Sequence, residues 1–70
     1  MPLYLAEWRK YRFMTQRELA TATGITTRAI TNIETGEVTE PRPSTLRKIA
    51  AALEIEPAQL YERPNLEGRK

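Results

Sequence analysis

Residues 15–36 read TQRELATATGITTRAITNIETG and contain two helix starts with a glycine turn between them. Thr15 and Glu18 have the spacing of a capping box, in which the threonine hydroxyl accepts from the amide three residues on and the glutamate reaches back. A helix is therefore predicted to begin at this pair. It should end at Gly24, because glycine readily takes the left-handed backbone conformation that terminates helices. Thr26 is suited to cap the next helix, so a tight turn joins the two.

The segments that flank this turn extend the helical pattern in both directions. Upstream, a first helix is predicted over residues 3–12, where Leu5 and Trp8 share one face and are expected in the core. Downstream, the third helix should cover residues 27–34 and end at Gly36. The helix, the glycine turn and the helix thus lie in the middle of a longer helical array.

The second half of the chain predicts two more helices after a polar, proline-rich loop. Pro43 fits the first turn of a fourth helix, whose apolar stripe consists of Leu46, Ile49, Ala50 and Leu53. A short fifth helix should begin at Pro57 and end near Tyr61. No segment has the alternation of a strand. The sequence therefore predicts one all-α domain of five helices over residues 1–62 and a flexible tail over 63–70.

The composition disfavours catalysis and metal binding. Cysteine, histidine and aspartate are absent, which removes the commonest metal ligands and the usual general base. No stretch approaches the roughly 18 apolar residues that span a membrane, and the start has no signal-peptide pattern. We therefore expect no enzyme activity, no metal, no cofactor, no small-molecule substrate and no membrane association.

The basic side chains are concentrated in the half that contains the glycine turn. The net charge of +2 is modest, but residues 1–33 hold five basic and two acidic side chains, whereas residues 34–70 hold six and seven. A local excess of positive charge favours an anionic partner such as DNA.

The glycine turn and its two helices resemble the Cro/repressor family of phage helix-turn-helix proteins, also called Xre-type regulators. The resemblance covers residues 5–60, and the positions that carry it are Gln16, Leu19, Ala20, Gly24, Ile25, Ile30, Ile33, Glu34 and Gly36. It implies a compact lambda-repressor-like fold, in which the second helix crosses the DNA backbone and the third lies in the major groove of double-stranded DNA.

The resemblance also implies which side chains contact DNA. The positions that would read bases, at the exposed start and outer face of the third helix, are Thr26, Thr27, Arg28, Thr31 and Asn32. The positions that would hold phosphates are Gln16, Arg17 and Arg42. Arg9 and Glu34 match a pair that forms a structural salt bridge in family members.

A transcription regulator, acting as a repressor on an operator with inverted-repeat symmetry, is the function that this resemblance implies. Because one such helix reads few base pairs, a homodimer is expected, with Leu60, Tyr61 and Leu66 as candidate contacts. A cytoplasmic location in a bacterial or phage-derived setting follows from this reading. The alternative is a protein-interaction module, such as an antitoxin or coactivator, which uses the same fold to bind a protein partner.

Overall fold

The computed structural model describes residues 3–64, which form four α-helices and one short 3-10 helix. The helices are α1 (Leu5–Tyr11), α2 (Gln16–Thr23), α3 (Thr27–Thr35) and α4 (Pro43–Leu53), followed by the 3-10 helix Pro57–Tyr61. The prediction of an all-helical chain is confirmed, since no strand occurs within these residues. The count of five α-helices is not confirmed, because the last segment is only five residues long and takes the tighter 3-10 geometry common in short pieces.

The predicted start and end of α2 are confirmed in atomic detail. The Thr15 hydroxyl accepts from the Glu18 amide at 3.0 Å, and the Glu18 carboxylate accepts from the Thr15 amide at 2.8 Å. Gly24 ends the helix with φ of 75°, in the left-handed region. A capping box at one end and glycine at the other satisfy backbone groups that the helix leaves unpaired.

The helix that follows is bounded in the same way. The Thr26 hydroxyl accepts from the Ala29 amide at 3.1 Å, and Gly36 ends α3 with φ of 89°. α1, in contrast, is shorter than predicted and begins at Leu5. Tyr4, just before the helix, has a non-helical backbone, and its amide donates to the Leu60 carbonyl at 2.7 Å.

A single core is formed by side chains from every helix. Its buried members are Leu5, Trp8, Leu19, Ile30, Ile33, Ile49, Ala50, Leu53 and Leu60. Leu60 is only 1% exposed, so it is unavailable to the dimer surface that the sequence predicted for it. Tyr61 is half-buried, and Leu66 lies outside the described residues. Apolar burial of this kind fixes α2 against α3 and leaves the outer side of α3 open to solvent.

The two ends of the described chain are tied together by α1. The Trp8 indole nitrogen donates to the carbonyls of Gln59 at 2.9 Å and Glu62 at 2.8 Å. Arg63, the first residue of the predicted tail, lies over the Tyr4 ring at 5.3 Å from its centroid, whereas residues 65–70 lie outside the described part. No helix within residues 3–64 is long and apolar enough to cross a membrane.

Candidate nucleic-acid interface

The outer face of α3 presents the side chains predicted to read bases. Arg28, Thr31 and Asn32 are spaced three and four residues apart, so they share one face of the helix. Ile30 and Ile33 occupy the opposite face and are buried. Packing of these two isoleucines against the core therefore fixes the position of α3. The polar side chains on the opposite face remain accessible.

Two of these side chains have hydrogen-bonding capacity that the folded chain does not use. Within residues 3–64, no hydrogen bond or ion pair is made by the guanidinium of Arg28 or by the side-chain amide of Asn32. Arg28 is exposed and Asn32 is half-buried. An arginine can bind guanine O6 and N7, and an asparagine can bind adenine N6 and N7, each through two bonds. Both side chains are thus free for such contacts.

The three threonines of this region differ in whether their hydroxyl groups already make a hydrogen bond within the chain. Thr27 is exposed at the first turn of α3, where its methyl group can meet a thymine methyl. Thr26 already accepts the Ala29 amide as a helix cap, although its hydroxyl proton is left for a partner. Thr31 is half-buried and donates its hydroxyl proton to Gln16 Oε1 at 3.3 Å.

Gln16 is the first residue of α2, and both the nitrogen and the oxygen of its side-chain amide make hydrogen bonds. Its Nε2 donates to Glu34 Oε1 at 3.0 Å, and its Oε1 accepts from Thr31. The amide carries two N–H donors, so one remains for a further acceptor such as a phosphate oxygen. Gln16 therefore links α2 to α3 and holds a donor in a fixed position at the start of α2. The sequence did not reveal this link, because Gln16 lies 15 and 18 residues before its two partners.

Arg9 and Glu34 lie together beneath this group. Arg9 Nε is 2.8 Å from Glu34 Oε2, and Arg9 Nη2 donates to Glu34 Oε1 at 3.3 Å. A third donor of the same guanidinium, Nη1, bonds the Met14 carbonyl at 2.8 Å. The side chains of Arg9 and Glu34 are 12% and 8% exposed, so both charges are largely removed from water, and their attraction offsets part of that desolvation cost.

The remaining predicted phosphate contacts lie apart from this network. Arg17 is exposed in the first turn of α2, and Arg42 is exposed just before α4, where it is the N-cap residue. Neither shares a hydrogen bond or ion pair with Gln16 or with the outer face of α3 among the described residues. Any common role would come from binding one extended ligand.

The sequence analysis did not predict the unusual backbone conformation and exposure of Phe13, which lies in the turn between α1 and α2. Its side chain is 80% exposed and its φ is 59°, a left-handed value that bulky residues rarely take. The available signal was the short distance from the end of α1 to the cap at Thr15 with no glycine in between. Helices commonly end with one residue in the left-handed region, and here that residue is Phe13.

Comparison with known proteins gives two matches. The sequence profile described as helix-turn-helix matches residues 5–60. Over 51 residues, or 73% of this chain, the sequence is 39% identical to RghRB of Bacillus subtilis (strain 168), described as an uncharacterized HTH-type transcriptional regulator. The chain spans 37% of the length of that relative, so the match concerns one part of it.

Proposed function

We propose that this chain, which belongs to the helix-turn-helix family, is a sequence-specific DNA-binding transcription regulator that reads the major groove with α3. The match over residues 5–60 confirms the resemblance to Xre-type proteins. The observation that carries the proposal is the outer face of α3, where the polar groups of Arg28 and Asn32 have no partner among the described residues.

Sequence would be read by the side chains of α3. Arg28 binds a guanine through two N–H donors, Asn32 binds an adenine, and Thr27 contacts a thymine methyl. Thr31 and Thr26 line the same region, with Thr31 held toward Gln16 by its hydrogen bond. Each good bidentate contact contributes about 1 to 3 kcal/mol of discrimination against the wrong base.

The register of α3 on DNA would be set by phosphate contacts at its two sides. Gln16 offers its remaining amide proton at the positive end of α2, next to Arg17. Arg42 would contact a phosphate from the loop between α3 and α4. These contacts carry no sequence information, but they fix how deeply α3 enters the groove.

Two copies of the chain would bind an inverted repeat and act as a repressor by occupying it. One recognition helix specifies few base pairs, and two helices related by twofold symmetry would read half-sites about 34 Å apart. The dimer contact would use surface other than Leu60, since that side chain belongs to the core.

Selection of random or genomic DNA fragments at physiological salt tests this function. The parent should enrich a short inverted repeat, and Arg28→Ala and Asn32→Ala should each lose about 1 to 3 kcal/mol of discrimination at one position of each half-site. Arg47→Ala, which removes an exposed arginine from α4, is the matched control and should select the parent's sequence.

The outcome that contradicts the proposal is equally specific. If the parent enriches nothing over bulk DNA, or if Arg28→Ala and Asn32→Ala select the parent's sequence with the parent's stringency, α3 does not read bases. The alternative function, a protein-interaction module, would then be favoured.

A further inference from the structure

A chain of hydrogen bonds runs from the salt bridge of Arg9 and Glu34 to the outer face of α3. Arg9 donates to both oxygens of the Glu34 carboxylate. Because a carboxylate only accepts hydrogen bonds, the group that faces it at 3.0 Å must be the nitrogen of the Gln16 amide. The oxygen of that amide is therefore turned toward Thr31.

The Thr31 hydroxyl is the last member of this chain. Its oxygen lies 3.3 Å from Gln16 Oε1, and since an amide oxygen only accepts, the threonine supplies the proton. A hydroxyl has one proton and two lone pairs, so this bond uses the one donor that the Thr31 side chain has. The hydroxyl makes no other hydrogen bond among residues 3–64, and its lone pairs remain for an outside partner.

We propose that Thr31 accepts a hydrogen bond from the exocyclic amino group of one base, adenine N6 or cytosine N4, and discriminates against carbonyl oxygens. The inference rests on the proposed function and specifies one of its contacts. Each base pair shows one amino group and one carbonyl oxygen in the major groove, and a threonine can in general bond either. Here only the amino group can donate to Thr31, whereas a carbonyl oxygen would face its lone pairs with no proton between them.

The buried end of the chain keeps the Thr31 hydroxyl in this state. If the Gln16 amide turned over, its oxygen would face the Glu34 carboxylate, which is 8% exposed and has little water to replace the lost donor. Gln16 and Glu34 are thus positioning residues for this contact, because they act on the base through Thr31.

Base analogues in the operator that the parent protein selects test the polarity of this contact. Purine in place of adenine, or pyrimidinone in place of cytosine, removes the amino group from the major groove. At one base pair of each half-site this change should weaken binding by about two- to tenfold, as expected for one neutral hydrogen bond. Analogues of guanine or thymine that lack the carbonyl oxygen should cause no loss that depends on Thr31.

Thr31→Val shows which losses depend on the hydroxyl, because valine keeps the branched shape and removes the oxygen. At that base pair it should bind the operator with and without the amino group equally well. Thr21→Val, which removes an exposed hydroxyl from α2, is the matched control and should respond to every analogue as the parent does.

Gln16→Met tests the positioning role. The Thr31 hydroxyl loses the acceptor of its proton and can then donate as well as accept, so discrimination between the preferred base pair and its reversal should fall by about two- to tenfold at that position. Overall affinity should also fall with the phosphate contact, but that contact carries no sequence information and leaves the other positions unchanged.

The inference is overturned if removal of a carbonyl oxygen weakens the parent but not Thr31→Val, since Thr31 would then be a donor. It is also overturned if the amino-group analogues affect the parent and Thr31→Val equally at every position, or if Gln16→Met keeps the parent's discrimination. If Arg28→Ala still loses selectivity in these cases, only this inference fails. If the parent selects no sequence, the proposed function fails and this inference fails with it.

Discussion

Replacing Glu34 with alanine is expected to lower the free energy of unfolding by about 3 to 5 kcal/mol, the largest loss for any charged residue described here. The carboxylate accepts from Arg9 Nε and Nη2 and from Gln16 Nε2. Its removal leaves a guanidinium that is 12% exposed without a counter-charge. Because a domain of this length has only roughly 4 to 10 kcal/mol of stability, much of the chain should be unfolded at 37 °C.

Denaturant unfolding followed by circular dichroism measures this effect, and Glu37→Ala provides the control. Glu37 is an exposed glutamate in the loop after α3, so its replacement should change stability by less than about 0.5 kcal/mol. A double variant that also replaces Arg9 with methionine should be less destabilised than the sum of the single variants, since the stranded charge is gone. Additive losses would show that the two side chains do not interact.

Replacing Trp8 with alanine is expected to cost about 3 to 5 kcal/mol, because the indole is 6% exposed in the centre of the core. The side chain packs with Leu5 and also holds the C-terminal 3-10 helix through two hydrogen bonds. Loss of both the packing and the bonds should release that helix from α1 before the rest of the domain unfolds. Amide hydrogen exchange at Glu62, whose amide bonds the Gln59 carbonyl, reports this release.

The variant Trp8→Phe separates the two contributions. Phenylalanine keeps most of the apolar contact but leaves the carbonyls of Gln59 and Glu62 without the indole donor, which should cost about 1 to 2 kcal/mol. A loss as large as that of Trp8→Ala would mean that hydrogen bonding, rather than packing, is the main role of this side chain. Parental stability would mean that the two bonds contribute nothing.

The helix boundaries that were predicted well are those set by neighbours in sequence. Thr15 and Glu18 are three residues apart, and Gly24 acts on its own backbone, so the start and end of α2 could be read directly. The start of α1 was predicted two residues early; at that point Tyr4 has a non-helical backbone and its amide bonds the Leu60 carbonyl, a contact between distant parts of the chain that no local pattern indicates. The fifth segment has a helix start at Pro57, but periodicity over five residues cannot separate an α-helix from a 3-10 helix.

For the candidate site, the sequence identified which residues face outward on α3 but not how they are held. The positions of Arg28 and Asn32 follow from the spacing of the buried isoleucines on the opposite face. The pairing of Arg9 with Glu34 came from the resemblance to a family rather than from any spacing. The bonds from Gln16 to Glu34 and Thr31 had no local signal, since the partners are 18 and 15 residues away.

The sequence by itself determined that the described chain is all-helical, the caps that bound α2 and α3, and the side of α3 that is polar. These features depend on interactions within about four residues, where chain geometry leaves few choices. Only the tertiary structure decided that Trp8 bonds a carbonyl 51 residues away, that Gln16 is held by α3, and that Phe13 is left exposed in a left-handed turn. Which distant groups meet depends on how all the helices pack at once, because each buried side chain excludes the alternatives for the others.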